Sequence, residues 1–160
     1  VFDHEYNVLT ANQAFLSLAG MAGIAVSPGD NFLDAYLGST PLRSIVVNWA
    51  QSAADLVHRI RAEAWLQGPR SPLLKRIERL AAAADIQAAL EAFPETGRLP
   101  VLPIEMKIGA KRFNWITTLT SFGSAQDALV QGVLIESFFP ADAGTRAHFE
   151  GGEASKTKRE

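Results

Sequence analysis

Among residue types that do chemistry, the chain holds three histidines, no cysteine and 17 carboxylates. His4 falls in a polar turn, His58 on a helix flank and His148 near the C-terminal tail. None has a partner at metal-ligand spacing, so surface positions are expected and no metal site. The lack of cysteine excludes disulfides, thiolate catalysis and cysteine-held zinc. "GMAG" lacks the Lys and Ser/Thr of a phosphate-binding loop, and no serine stands in a nucleophile-elbow context. Glu63, Glu78, Glu105 and Glu136 are scattered. Glu105 and Glu136 fall in strands opposite apolar neighbours, so solvated positions are expected. The pattern predicts neither an enzyme nor a cofactor.

Binding chemistry is better represented, by large apolar side chains. On a helix turning about 100° per residue, Val46, Trp49, Ala53, Val57 and Ile60 share one face, with Arg61 at its edge. Trp65 lies further along the same helix. Met106, Phe113 and Trp115 recur at period two on strands that follow. Two readings stay open. These residues are ordinary core, or helix and sheet enclose a ligand cavity that they line. Arg61 either snorkels past the apolar face or holds the carboxylate of an acid ligand.

The elements that must position these residues follow from local signals. Val1-Phe2 and Val8-Leu9 flank the polar "DHEYN" as two short strands of a hairpin. Asn12 is a helix N-cap, followed by Phe15 and Leu18 at helical spacing and stopped by Gly20 and Gly23. Asn31 or Asp30 caps a second short helix ended by "GSTP". Thr40 with Pro41 at the first helical position opens one long helix running to about Trp65. Ser71 caps a third helix, and a fourth, short one starts at Asp85. After "FPETGRLP" the periodicity becomes two: Val101–Ile108, a second strand through Phe113 to Leu119, and a third over Leu129–Phe139 ended by Pro140. The order predicts an α+β domain, with an antiparallel sheet of about five strands covered on one face by helices. One domain over residues 1–149 and a disordered tail over 150–160 are expected.

The 160 residues are 48% hydrophobic and carry a net charge of -2. A packed core is within reach, and the acidic balance argues against this chain gripping nucleic acid by itself. No apolar run approaches the ~20 residues of a membrane span, and no signal peptide is visible. A cytoplasmic protein with no membrane partner is expected. The abrupt start, without methionine, suggests a fragment lacking its N-terminal part.

"VLTANQAFLSLAG" and "PGDNFLDAYL", with the closing meander, resemble a PAS domain. The long helical insertion "NWAQSAADLVHRIRAEAWLQGPRSPLLKRIERLAAAADIQAALE" is similar to that of the PAS-like ligand-binding domain of MmyB-like transcription regulators. The matching residues are Trp49, Ala53, Ile60, Arg61, Ala62, Glu63, Ala64, Pro72, Leu73 and Leu80. The chain departs in having "LPVLPIEMKIGAKRF" where many members carry "HP-VGEL". The resemblance implies a sensor with a small apolar ligand, fatty-acid-like, a likeness covering Val1 to about Phe149. It implies DNA binding only through an N-terminal helix-turn-helix absent here, and a homodimer. The alternative is a PAS-like dimerisation module with a filled core and no ligand.

Overall fold

The computed structural model describes residues 1–38, 41–95, 101–121 and 132–150. Helix α1 (Gln13–Met21) begins where expected, because the Asn12 side chain accepts from the Phe15 N–H at 2.9 Å. Helix α2 (Phe32–Leu37) is capped by Asn31, whose Oδ1 accepts from Leu33 and Asp34. The same side chain donates to Glu5 O and Asn7 Oδ1, so the cap also holds the N-terminal turn in place.

The single long helix is corrected to two. Helix α3 (Pro41–Ile45) ends early, and α4 (Trp49–Leu66) starts after a break. The expected Thr40 cap lies outside the described residues. Val46 therefore is not on the helical face assigned to it. It bridges Met106 in antiparallel fashion, and the Val47 N–H donates to Glu105 O at 2.7 Å. Asn48 completes the break: its Nδ2 donates to Pro103 O and its Oδ1 accepts from Glu105 N, both at 2.9 Å. The amide side chain thus imitates a peptide group along a strand edge, which outweighs continuing the helix through two β-branched valines.

Helix α5 (Pro72–Ala81), capped by Ser71, and α6 (Ala84–Ala92) follow, and α4 packs chiefly against both. Strands β1 (Leu102–Ile108), β2 (Lys111–Ser121) and β3 (Leu134–Pro140) form an antiparallel meander in the order β1-β2-β3. The expected sheet of five strands is thus a sheet of three among the described residues. The N-terminal segments contribute isolated bridges instead, Phe2 to Leu134 and Phe2 to Val8. The stretch of the third predicted strand over 129–131 lies outside the described residues, as do residues 151–160 of the tail expected over 150–160, whose first residue instead ends a helix.

A further helix, α7 (Ala143–Glu150), was not expected. Asp142 starts it by accepting from the Thr145 N–H, and its other oxygen accepts from Asn114 Nδ2 and Thr145 Oγ1. The fully buried Thr145 hydroxyl in turn accepts from the N–H of the half-buried Asn114, which lies just past the last β2–β3 pair, Trp115 with Pro140. Phe149 then packs edge-on to Phe113 and against Trp115. The core runs from Phe2 and Tyr6 through α4 to Ile104, Phe113 and Trp115.

Candidate ligand-binding site

Strand register decides which side chains face the helices. Ile104 opposes Trp115, Met106 opposes Phe113, and Leu102 opposes Thr117. On the other side Thr117 opposes Phe138, Leu119 opposes Glu136, and Ser121 opposes Leu134. Directly opposed residues share a face. Hence Leu102, Ile104, Met106, Phe113, Trp115, Thr117, Leu119, Leu134, Glu136 and Phe138 form one inner face. Glu105, expected in solvent, is indeed exposed. Glu136 is a correction: it shares the inner face with the core residues Leu134 and Trp115. Its strand is apolar at alternate positions on both faces, so alternation alone could not orient it.

The predicted lining residues fall into two groups. Val46, Trp49, Ala53, Val57, Ile60, Met106, Phe113 and Trp115 all belong to one buried core. Trp49 donates through Nε1 to Tyr36 O at 2.9 Å, and the Arg43 guanidinium lies 3.5 Å over its ring. Arg61 stands apart. Its Nε and Nη2 bind the two oxygens of Glu78 at 2.9 Å each, a two-pronged pair between α4 and α5 on the domain's flank. Trp65, at the end of α4, is 68% exposed and takes no part in the core.

A polar group within the apolar surroundings was not foreseen. Ser52, Leu56, Arg59 and Glu63 recur at steps of four, three and four on α4, so they share one side. The Tyr36 hydroxyl pairs with Ser52 Oγ at 2.7 Å, and the Tyr6 hydroxyl donates to Glu63 Oε2 at 2.8 Å. Tyr6 is held in the left-handed region, φ 65°, by the turn at Asp3 and by Phe32 N–H donating to its carbonyl. A bulky residue there is strained, which suits a ring fixed from several sides. Burial, and then the Glu63 charge, push the Tyr6 phenol well above its usual range. Burial does the same to Tyr36.

Arg59 and Glu136 complete the group. Burial pushes the Glu136 carboxyl up to about 7, against the opposing pull of Arg59. Yet the two form no ion pair, and Arg59 Nε is buried without a hydrogen-bond partner. Trp115 Nε1, on the same inner face, is a second buried donor without a partner. The sequence signal for Arg59 was available only as its helical spacing from Ser52, Leu56 and Glu63. Around the predicted lining, rings succeed one another: Phe15 on Phe138 at 5.5 Å, Phe138 on Trp115 at 6.1 Å, Trp115 on Phe149 at 5.0 Å. An apolar wall with a few convergent polar groups is the usual make-up of a small-molecule site. A separate open depression of about 490 Å3 is bordered by Gln67–Pro72 and shares none of these residues. Among the described residues no acidic or histidine cluster suits a metal ion, and no helix is long and apolar enough to cross a membrane.

No curated protein and no solved structure shows a match to the chain. A family model does match, across residues 1–150, and with it the resemblance carried by the helical insertion is borne out. The chain belongs to the MmyB-like transcription regulator ligand binding domains.

Proposed function

We propose that this domain is the PAS-like sensing part of a cytoplasmic, homodimeric transcription regulator. It takes an acyl-chain ligand of the fatty-acid kind and thereby controls DNA binding by an N-terminal helix-turn-helix domain. The ligand acts by binding one of two conformations more tightly than the other. The observation that carries this reading is the meeting of α4 and the inner sheet face, where aromatic rings pack and two buried donors, Arg59 Nε on the helix and Trp115 Nε1 on the sheet, have no partner. Val46, Trp49, Ala53, Val57, Ile60, Met106, Phe113 and Trp115 are the proposed apolar wall. The engagement of Arg61 with Glu78 leaves it a bracing role between helices.

A second reading, a dimerisation module with a filled core, is favoured by one observation. Ala53, Val57 and Ile60 have no exposed surface. Ala53→Phe separates the two. In a ligand domain the ring occupies acyl space: the variant melts near the parent and no longer gains stability from added dodecanoic acid. In a filled core it overpacks and loses about 1–3 kcal/mol. Thermal melts of parent and variant, with and without the acid, decide. A parent that does not shift, with a variant that is unfolded, overturns the ligand reading.

A further inference from the structure

The wall proposed for the ligand already carries an occupant. The Phe149 ring rests on it, its centroid 5.5 Å from that of Phe113 and 5.0 Å from that of Trp115. Across the core, Ala53, Val57 and Ile60 have no exposed surface. An acyl chain entering such a core must displace a side chain, because protein interiors leave few voids larger than a water molecule. The group held least firmly yields. The α4 residues are backed by α5 and α6, and those of β1 and β2 by a ladder of paired residues. Phe149 belongs to α7, whose eight residues are too few for a helix to persist in water without packing. Arg146 and Ala147 are exposed, and so is His148, whose ring only leans on Phe113 at 5.1 Å. The start of α7 is tied by the hydrogen bonds among Asp142, Thr145 and Asn114, and its end by Phe149. Phe149 also leaves a donor unserved. Trp115 is 5% exposed, and its Nε1 has no hydrogen-bond partner. A phenyl ring brings no lone pair to that N–H, whereas an oxygen-bearing ligand does.

We propose, resting on the reading of the domain as an acyl-chain sensor, that Phe149 is a built-in occupant of the ligand's seat. The ligand takes its place against Phe113 and Trp115, and its head oxygen accepts from Trp115 Nε1. The far end of α7 lifts from the sheet, while the Asp142 end stays as the hinge. The exchange couples binding to shape: once Phe149 is undocked, α7 has lost the contact that keeps its last turn in place. Whatever holds Phe149 down also weakens the ligand, since only molecules with the seat open can take it.

Amide hydrogen exchange of the parent, with and without dodecanoic acid, tests this together with titrations of the acid into variants. In the parent the acid quickens exchange over residues 146–149 and slows it over 113–117. Phe149→Ala binds the acid about tenfold more tightly than the parent, as expected if the parent's seat is open about a tenth of the time. Thr145→Val loosens α7 without touching the seat and also binds more tightly, which keeps the inference testable if Phe149→Ala does not fold. Trp115→Phe keeps a ring, removes the donor and weakens binding several-fold; unchanged binding would overturn the placing of the head. A phenylalanine that merely completes the core does the reverse. Phe149→Ala then binds no more tightly than the parent, and exchange over 146–149 is unchanged or slower with the acid. Either result overturns the displacement of Phe149, while a parent whose melting point rises with the acid keeps the acyl-sensor reading. If the acid binds neither the parent nor Phe149→Ala nor Thr145→Val, both fall.

Discussion

Glu136 ties the residue scale to a measurable pH dependence. Its carboxyl has a folded value of about 7 against 4.5 in the unfolded chain, because burial disfavours the charge. The folded state therefore holds its proton more tightly. No cost exists below about pH 4.5, where both states are protonated. Above that the cost grows, and it is complete once pH exceeds the folded value. Urea midpoints of the ligand-free parent should accordingly fall between pH 5 and 7, by an amount on the order of 3 kcal/mol at most. Glu136→Gln should flatten this slope and be the more stable protein at pH 8; an unchanged slope would place the carboxyl in water. A second residue acts through geometry alone. Asn48→Ala leaves Pro103 O and the Glu105 N–H without their partners and should cost about 1–2 kcal/mol in chemical denaturation. Asn48→Asp should rescue only the bond from Glu105, since a carboxylate cannot donate to Pro103 O.

At the scale of elements, the caps rank themselves by how much each one holds. Asn12 makes one bond in an exposed setting, so Asn12→Ala should cost about 1 kcal/mol. Asn31 caps α2 and also ties Glu5 and Asn7, so Asn31→Ala should cost clearly more than Asn12→Ala in the same urea series. Equal losses would mean that the N-terminal turn does not depend on α2. Both caps were legible in the sequence, as was Ser71, because capping is chemistry between near neighbours. The strands β1 and β2 were legible from their alternation. The break before α4 was not: Val46 and Val47 fit an apolar stripe, and the interruption comes from Asn48 meeting a strand distant in the chain. Helix α7 was missed because a single aromatic, Phe149, and one buried threonine anchor it, too little for a visible period. The inward turn of Glu136 awaited the register with β2.

On the scale of the whole molecule, the family match over residues 1–150 and the net charge of -2 belong together. A domain whose part in a transcription regulator is to bind a ligand has no need of a basic face of its own. The isolated chain should give no gel shift with duplex DNA at about 150 mM salt and micromolar protein, where only contacts beyond weak phosphate attraction survive. A persistent shift would show that this domain reads DNA directly. The break before α4 also limits how the sheets of two copies can join. Val46, Val47 and Asn48 occupy the outer rim of β1 as a short surrogate strand. That rim cannot recruit the sheet of a neighbour. Two copies therefore cannot fuse into one continuous sheet through this part of β1; the outer face of the sheet carries a separate apolar patch, where exposed Ile116 lies opposite exposed Phe139. Loosening Asn48 would reopen the rim, so the same side chain that interrupts a helix also guards the protein against open-ended stacking at high concentration.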